Sequence, residues 1–468
     1  MKSGHKVGQL REWETGFFPQ FWAMRKYTFL LVWSLVSLVS LGCYGQVLTG
    51  AERLHKYLPL LDGKRVGVFA NQTSMVGSTH LVDTLLSLGV EVKVIFGPEH
   101  GFRGKADAGE KVGNAIDEKT GIPVVSLYGA KRRPDQVDLS EVDVMLFDIQ
   151  DVGVRFYTFI SSLEEYIQSA IEFQKPLILL DRPNPNGHYV DGPVLDTRYR
   201  SFVGRQPVPI VYGLTLGEYA SMLLGEKWIK GADGKNGSAE KDQMPLMSLL
   251  LDPRESEPSP EENIFITDRI EKLVLPENRF QLVVITCANY DHQTKYVLPV
   301  KPSPNLPNIQ SIYLYPSTCL FEGTVLSEGR GTDKPFQVFG HPDLPKTLYA
   351  FTPNPNEGAK NSKHYGKKCY GWNLSGTPEQ VHAQVNNRIQ LKWIIQAYQQ
   401  FPKKDSFFII PKSAKMEESF FTKLAGNNEL WQQIKQGKSE AQIRASWKPK
   451  LDEFKAIRSR YLLYPDFK

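Results

Sequence analysis

A carboxylate and an imidazole stand side by side where a strongly apolar stretch ends, in the sequence Gly97-Pro98-Glu99-His100. A carboxyl group can donate or accept a proton, and an imidazole can do the same or bind a metal ion. The glycine and the proline end the apolar stretch abruptly, and glycine allows close approach of the backbone to a ligand. Glu99 and His100 are therefore the first candidate site residues, although these four residues alone would also suit a solvent-exposed turn.

Polar residues follow several other apolar stretches in the first half of the chain. The residues at these positions are Asn71, Glu99, Tyr128, Asp148, Gln150, Asp181 and Arg182. If the stretches are parallel strands, their carboxyl ends lie along one edge of a sheet, where open α/β folds bind ligands. One such residue alone would be an ordinary turn or cap residue, but the whole series predicts a shared cleft.

The stretches that position these residues read as strands alternating with helices. The predicted strands are 66–70, 90–96, 124–127, 142–147, 176–180 and 281–287. The predicted helices are 51–60, 80–88, 159–173, 214–230 and 379–401, with a mostly helical tail to residue 464. This alternation predicts an α/β fold with a Rossmann-like, doubly wound parallel sheet and right-handed crossovers.

A proline-dense connector at 299–307 marks a predicted boundary between a first domain, 46–298, and a second, 299–468. Two acidic segments bracketed by glycine follow it, around Glu322 and around Glu328 with Arg330 close by. We expect these segments to form a second wall of a site for a polar substrate. The polar stretch 231–260 is predicted to be a loop or an excursion.

The composition limits the function classes. A chain of 468 residues is long enough for two to three domains, and its net charge of +5 is small and scattered, which argues against nucleic-acid binding. No Gly-x-Gly-x-x-Gly follows a strand and no Walker phosphate loop is present, so we expect no nucleotide cofactor. The four cysteines lack metal-ligand spacing, so no thiolate metal site is predicted and any disulfide stays open.

The N-terminal region has the pattern of a secretory signal. Met24-Arg25-Lys26 precedes an apolar run, 27–41, and small residues follow at Gly42-Cys43 and Gly45. Because a spanning helix needs about 20 apolar residues, export with cleavage is favoured, and Met24 is the expected start after an upstream extension. Lipidation of Cys43 and cleavage after Gly45 both stay open.

Six segments taken together resemble a bacterial family of exo-β-N-acetylmuramidases, first catalogued as a domain of unknown function. They are 67–73, 97–104, 147–157, 181–187, 302–307 and 322–332. The resemblance covers residues 50–468 and implies a glycoside hydrolase that removes N-acetylmuramic acid from the non-reducing end of peptidoglycan fragments. It also implies a smaller α/β C-terminal domain that closes over the cleft.

This resemblance assigns roles to the candidate residues. Glycoside hydrolysis needs a carboxylic acid that protonates the leaving oxygen, and Glu99 is the candidate for that role. The second group stays open between a carboxylate and the substrate's own 2-acetamido group. The carboxylates in question are Asp148, Asp151, Glu322 and Glu328.

The remaining candidates would bind the substrate. His100, Gln150, Tyr157 and Asn184 are expected to hydrogen-bond sugar hydroxyls, and Asn71 and Asp181 border the predicted cleft. An arginine would recognise the lactyl carboxylate of muramic acid, because the guanidinium fork matches a carboxylate in two bonds. The arginines in position to do so are Arg155, Arg182 and Arg330.

Two other classes of protein stay open from the sequence. One is a non-catalytic periplasmic protein that binds muropeptides or sugars in the same cleft. The other is a metal-dependent hydrolase that uses His100 with Asp107 or Asp148, although no second histidine lies at ligand spacing. The oligomeric state cannot be read from the sequence, and the location is expected to be the periplasm, the outer membrane as a lipoprotein, or the medium.

Overall fold

The computed structural model describes residues 45–99, 101–103, 113–229, 270–275, 280–413 and 415–467, together with the single residues 1 and 4. Val47–Lys468 form one compact unit. Among the described residues, no helix has the length and apolar character needed to cross a membrane. The predicted signal segment, the stretch 231–260 and His100 lie outside the described residues.

Strands and helices alternate through the first half of the chain, and helices predominate towards the end. The strands are β1 (Arg65–Ala70), β2 (Met75–Val76), β3 (Thr79–His80), β4 (Glu91–Gly97), β5 (Ala115–Ile116), β6 (Pro123–Ser126), β7 (Val144–Asp148), β8 (Leu177–Leu180), β9 (Ile270–Leu275), β10 (Phe280–Ile285), β11 (Val338–His341), β12 (Tyr349–Phe351) and β13 (Cys369–Asn373). The helices are α1 (Leu54–Leu61), α2 (Leu81–Ser87), α3 (Phe159–Glu172), α4 (Leu216–Gly225), α5 (Ile309–Thr318), α6 (Pro378–Val385), α7 (Leu391–Gln400), α8 (Phe420–Ala425), α9 (Leu430–Lys435) and α10 (Glu440–Arg458).

An eight-stranded sheet in the order β5-β6-β4-β1-β7-β8-β10-β9 forms the centre of the first half. Each neighbouring pair from β6 across to β10 is parallel, and the edge strands β5 and β9 are antiparallel. The chain moves outward from β1 to β6, then returns and continues on the other side of β1 with β7. This is the doubly wound arrangement of a Rossmann-like sheet, and it confirms the predicted α/β fold class.

The central strands β7 and β8 are almost entirely apolar because packed elements cover both faces of the sheet there. Every residue of β7 and of β8 is buried. Between the sheet and α3, Phe69 stacks on Phe147 with ring centroids 4.7 Å apart. The hydroxyl of Tyr166 on α3 donates to the carbonyl of Gly67 at 3.1 Å, which fixes the helix against β1.

A small antiparallel sheet, β11-β13-β12, lies in the second half of the chain, and its strands were not predicted. The predicted helix 379–401 is wrong in one respect, because the structure divides it into α6 and α7. Asn386 and Asn387 separate the two helices with φ of 48° and 51°. Asparagine adopts this left-handed conformation more readily than most residues, so the apolar periodicity continues while the helix axis does not.

Candidate active site

Glu99 follows β4, where Gly97 and Pro98 end the strand, and its partly buried carboxylate is held from two sides. The hydroxyl of Tyr128 donates to Oε1 at 3.0 Å, and the hydroxyl of Thr158 donates to Oε2 at 2.8 Å. Burial and then the neighbouring Glu99 raise the pKa of Tyr128 above its usual range, so its phenol keeps the proton that it donates. Both oxygens of Glu99 are therefore fixed in direction.

This carboxylate opens onto a cavity of about 740 Å³ between the parallel sheet and the second half of the chain. The first half contributes Glu99, Tyr128, Phe156, Tyr157, Thr158 and Val203 to its walls. The second half contributes Ser303, Asn305, Leu306, Tyr315, Cys319, Glu322, Arg330, Phe336, Gly358, Ala359, Lys360, Asn361, Ser362, Phe420 and Leu424. The cavity thus combines aromatic rings with a few charged groups, as small-molecule sites do.

An ion pair on the second-half wall brings an acid and an arginine into this cavity. A terminal nitrogen of Arg330 lies 2.9 Å from Oε1 of Glu322, and its Nε lies 3.5 Å from Oε1 of Glu328. The guanidinium also lies over the ring of Phe336, 5.0 Å from its centroid. Burial lowers the pKa of Arg330, but the two carboxylates outweigh it and raise the pKa above its usual range. Arg330 is therefore a permanent cation.

Lys363 holds the backbone that carries this ion pair. Its Nζ lies 2.9–3.2 Å from the backbone carbonyls of Phe321, Glu322, Thr324 and Leu326. It also lies 3.0 Å from Oε2 of Glu328. One ammonium thus contacts four carbonyl oxygens and one carboxylate oxygen, and so fixes the turn on which Glu322 stands.

Comparison with known proteins connects this geometry to a family. Residues 66–310 match the N-terminal family model described as exo-β-N-acetylmuramidase NamZ, and residues 313–464 match the C-terminal model of the same description. The chain belongs to the exo-β-N-acetylmuramidase NamZ family. The resemblance predicted from the six sequence segments is confirmed.

Relatives of this NamZ-family chain extend over nearly its whole length. The peptidoglycan β-N-acetylmuramidase NamZ of Bacillus subtilis is 34% identical over 434 residues, which cover 90% of this chain and 92% of that protein. A crystal structure of a DUF1343 family protein of Bacteroides fragilis has 41% identity and a TM-score of 0.72, covering 90% of this chain and all (100%) of that one. A second DUF1343 structure from the same organism, at 24% identity and a TM-score of 0.66, shares the fold over 90% of this chain and 99% of its own.

The cavity of the NamZ-family chain contains some of the predicted site residues. Glu99, Tyr157, Glu322 and Arg330 all line it. The hydroxyl of Tyr157 donates to the carbonyl of Pro302 at 2.9 Å, so this side chain presents its ring to the cavity and ties the connector to the first half.

Asp148 and Arg182 form a buried ion pair that does not line the cavity. Nε of Arg182 lies 2.6 Å from Oδ1 of Asp148, and the two side chains are 3% and 0% exposed. The hairpin of β2 and β3 covers this pair, since Arg182 also donates to the carbonyl of Met75 at 3.0 Å. Ser74 donates to the carbonyl of Asp148 at 2.6 Å from the same segment. The chain itself thus covers the part of the sheet edge at which Asp148 and Arg182 were predicted to border the cleft.

Four further predicted residues at the sheet edge are buried and hydrogen-bonded within the fold. Oδ1 of Asn71 accepts from the backbone and hydroxyl of Thr73, and the amide of Gln150 donates to the carbonyl of Pro183. Asn184 donates to the carbonyl of Leu214. Asp181 accepts from Tyr464 and from the backbone of Gly217, and burial raises its pKa to about 6. None of these four lies among the described residues that line the cavity.

Arg155 and Glu328 also lie behind the cavity wall. Arg155 is fully buried and donates to the carbonyls of Pro193, Val208 and Leu424. Burial lowers its pKa to about 9. Burial raises the pKa of Glu328, but Lys363 and Arg330 outweigh it and hold that pKa below its usual range. Of the three candidate arginines, Arg330 is the one that reaches the cavity.

Thr158 and the loop that ends at Lys363 are among the residues near this site that were not predicted. Thr158 is the residue before α3. It directly follows Tyr157, a predicted site residue, and this position was the one sequence feature that could have identified it. The segment 358–362 lines the cavity, and Lys363 follows it, but no local pattern sets this loop apart from other polar loops. Within the described residues, no three His, Cys, Asp or Glu side chains are arranged to hold a metal ion.

Proposed function

We propose that this chain is an exo-acting glycoside hydrolase that releases N-acetylmuramic acid from the non-reducing end of peptidoglycan fragments. The observation that carries the proposal is one cavity whose walls include the carboxylates of Glu99 and Glu322 and the guanidinium of Arg330. Membership of the NamZ family supports the same activity, because the Bacillus subtilis relative is named as a peptidoglycan β-N-acetylmuramidase. Nothing observed favours a non-catalytic binding protein.

Glu99 is the proposed proton donor. It transfers a proton to the glycosidic oxygen, so that the remaining glycan leaves as a neutral alcohol. The hydroxyls of Tyr128 and Thr158 hold the carboxyl group in one orientation before substrate arrives. Because a hydroxyl can donate or accept, the same two partners can hold both the protonated and the ionised form.

Glu322 is the proposed second carboxylate, since it lines the cavity while Asp148 and Glu328 lie behind the wall. Two routes use it. Glu322 can attack the anomeric carbon or activate a water molecule, or it can orient the substrate's 2-acetamido group for attack on that carbon. In each route the net reaction adds water across the glycosidic bond: the anomeric carbon gains the hydroxyl and the leaving oxygen keeps the proton from Glu99.

Arg330 is the proposed reader of the lactyl carboxylate that distinguishes muramic acid from N-acetylglucosamine. Its contact with Glu322 at 2.9 Å leaves other guanidinium N–H groups to face a ligand. Its stacking on Phe336 holds the planar fork in one orientation. A bidentate pair with the substrate would add both charge and direction to recognition.

Export is a further part of the proposal, supported by the apolar run 27–41 after Met24-Arg25-Lys26. We propose a location in the periplasm, on the outer membrane through a lipidated Cys43, or in the medium. Sequencing the N-terminus of natively produced protein should find Cys43 or Gln46 first. An intact N-terminal extension on the mature protein would contradict export with cleavage.

The decisive experiment uses two disaccharides of opposite order. Purified protein is incubated with N-acetylmuramyl-N-acetylglucosamine and with N-acetylglucosaminyl-N-acetylmuramic acid, and the released sugars are identified by mass. We expect free N-acetylmuramic acid from the first disaccharide alone. Long glycan strands should lose their terminal residue without internal cleavage. Release from both disaccharides, or internal cuts, would contradict the proposal.

A further inference from the structure

A second cavity, of about 470 Å³, lies next to the proposed active site. Arg330 lines the first cavity, and the next residues, Gly331 to Asp333, line the second. Gly331 has φ of +79°, and a Cβ there would lie 2.5 Å from Oγ of Ser362 and 2.6 Å from the carbonyl of Asn354. Ser362 lines the first cavity and Asn354 the second, so the two cavities adjoin at Gly331, where no side chain stands between them.

An aromatic pair forms the floor of this second cavity. Tyr349 and Phe351 project from the same face of the edge strand β12, because side chains alternate along a strand. Their rings stack with centroids 6.5 Å apart and an angle of 23° between planes. Tyr349 is 42% exposed, so an aromatic face is available to a ligand.

The other lining groups are polar and set the charge that the cavity accepts. They include the side chains of Asn354 and Asn356, which offer amide donors and acceptors. Asp333 is the charged side chain among the described lining residues. Its carboxylate attracts hydroxyl and amide N–H groups and repels an anion such as a lactyl carboxylate.

We propose that this cavity is a subsite for a neutral N-acetylhexosamine of the glycan on the leaving-group side of the scissile bond. The proposal rests on the function proposed above, which places muramic acid in the first cavity and the rest of the glycan beyond it. A sugar ring presents an apolar face to Tyr349 and hydroxyl and acetamido groups to the asparagines and Asp333. The negative charge of Asp333 favours the neutral N-acetylglucosamine and disfavours the anionic N-acetylmuramic acid.

The test is a kinetic comparison of Tyr349→Ala with wild type on two substrates. One is a 4-nitrophenyl muramide, whose leaving group is not a sugar, and the other is a muramyl tetrasaccharide. We expect KM for the tetrasaccharide to rise about three- to tenfold, the range of a lost aromatic contact, with kcat unchanged. Both constants for the 4-nitrophenyl substrate should stay at wild-type values.

Two further variants make the comparison specific. Tyr349→Phe removes the hydroxyl but keeps the ring, and should keep the wild-type KM. Comparison with Tyr349→Ala then attributes the change in KM to the aromatic ring. Tyr365→Ala removes another exposed tyrosine, 58% exposed and lining neither cavity, and should change nothing. An equal effect of Tyr349→Ala on both substrates, or no effect on either, would overturn the subsite.

Direct binding separates failure of the subsite from failure of the proposed activity. Chitotriose, a neutral oligomer of N-acetylglucosamine, is titrated into wild type and Tyr349→Ala by calorimetry. Binding that the variant weakens by about three- to tenfold supports the subsite even if no muramide is hydrolysed. Equal binding by the two proteins overturns the subsite even if muramides are hydrolysed.

Discussion

Glu99 differs from the other strand-end acids, Asp148 and Asp181, in lining the cavity. Asp148, by contrast, faces a guanidinium and is fully buried. Glutamine in place of Glu99 keeps the size and the hydrogen-bonding capacity of the side chain but has no proton to transfer. General acid catalysis contributes about 10²–10⁴-fold, so Glu99→Gln should lower kcat on saccharide substrates by that factor. Steady-state kinetics with the disaccharide measure it.

The control for this prediction removes a partner of Glu99 and leaves the carboxyl group in place. Thr158→Val loses the 2.8 Å hydrogen bond to Oε2 and should reduce kcat less than Glu99→Gln does. Thermal unfolding should show both variants folded. If Glu99→Gln kept more than about a tenth of the wild-type rate, another group would be the acid.

Arg330 carries the prediction on specificity. Lysine keeps the positive charge but replaces the planar guanidinium, which can form two parallel hydrogen bonds, by a compact ammonium. Methionine removes the charge. Hydrogen bonds to charged groups contribute about 1.5–3 kcal/mol, so Arg330→Met should lower kcat/KM on muramides by about ten- to a hundredfold. Arg330→Lys should fall between wild type and Arg330→Met. Any weak activity on the matching glucosaminide should change less.

A distant arginine serves as the control for this series. Arg65 begins β1 at the opposite end of the sheet and pairs with Asp143 at 2.8 Å. Arg65→Met should leave the ratio of muramide to glucosaminide activity unchanged. A wild-type enzyme that cleaves the two sugars equally would refute the role of Arg330, as would a loss of equal size on both sugars.

At the scale of elements, the parallel strands were predictable because their signal is local. Short runs of β-branched and apolar residues ended at glycine, proline or polar residues, and the observed strands begin and end within a few residues of the predicted bounds. The break between α6 and α7 was missed because the apolar spacing runs through Asn386 and Asn387. Periodicity reports which face is buried, and it does not report a turn of the helix axis.

The site was only partly predictable because it depends on contacts between distant segments. Residues that end strands share an edge of the sheet, but which part of the edge stays open depends on the hairpin of β2 and β3. This hairpin covers Asp148 and Arg182 and so buries them. Glu322 and Arg330 could be found from their glycine-bracketed motifs, while nothing local connects Lys363 to the turn that it holds.

Lys363 carries the prediction on how this turn is held. Lys363→Met removes the ammonium from four carbonyls and from the carboxylate of Glu328, although Arg330 stays 3.5 Å from that carboxylate. Acceptors that lose their donor destabilise the folded state. The free energy of unfolding should fall by about 1–3 kcal/mol in denaturant titrations. Because the turn carries Glu322, kcat should fall as well.

A lysine nearby in the chain gives the matched control. Lys367 is exposed, so Lys367→Met should change neither the stability nor the rate appreciably. Methylammonium ions added to a Lys363→Ala variant should restore part of the activity by binding to the same oxygens. Wild-type stability in Lys363→Met would show that the turn is held by other contacts.

At the scale of the whole molecule, the C-terminal segment returns to the first half of the chain. The backbone of Leu463 donates to Glu218 on α4 at 2.9 Å, and His292 donates its backbone N–H to the carbonyl of Pro465 at 3.0 Å. The hydroxyl of Tyr464 donates to Asp181 at 2.6 Å at the end of β8. The predicted domain division at residue 299 stays a prediction, but these contacts tie the two parts together.

Asp181 is buried and accepts a hydrogen bond from Tyr464, and both facts should make the free energy of unfolding depend on pH. Burial raises the pKa of Asp181 to about 6, whereas an unfolded aspartate titrates near ~3.9. Between these values the folded state binds the proton more tightly, so the contribution of this group to stability declines as pH rises from about 4 to about 6. Tyr464 opposes that decline, because its hydroxyl donates to the ionised carboxylate and lowers the pKa of Asp181.

Tyr464→Phe should therefore destabilise the protein more at pH 8 than at pH 4.5. At pH 8 the variant loses a hydrogen bond to a charged group, about 1.5–3 kcal/mol, and at pH 4.5 one to a neutral carboxyl, about 0.5–1.5 kcal/mol. The hydroxyl also accepts from the backbone of Cys287 at 2.9 Å, a loss that is the same at both pH values and cancels in the comparison. Denaturant titrations of wild type, Tyr464→Phe and the exposed control Tyr365→Phe at the two pH values measure the difference. An equal loss at both would mean that Asp181 does not ionise across this range while it accepts the bond from Tyr464.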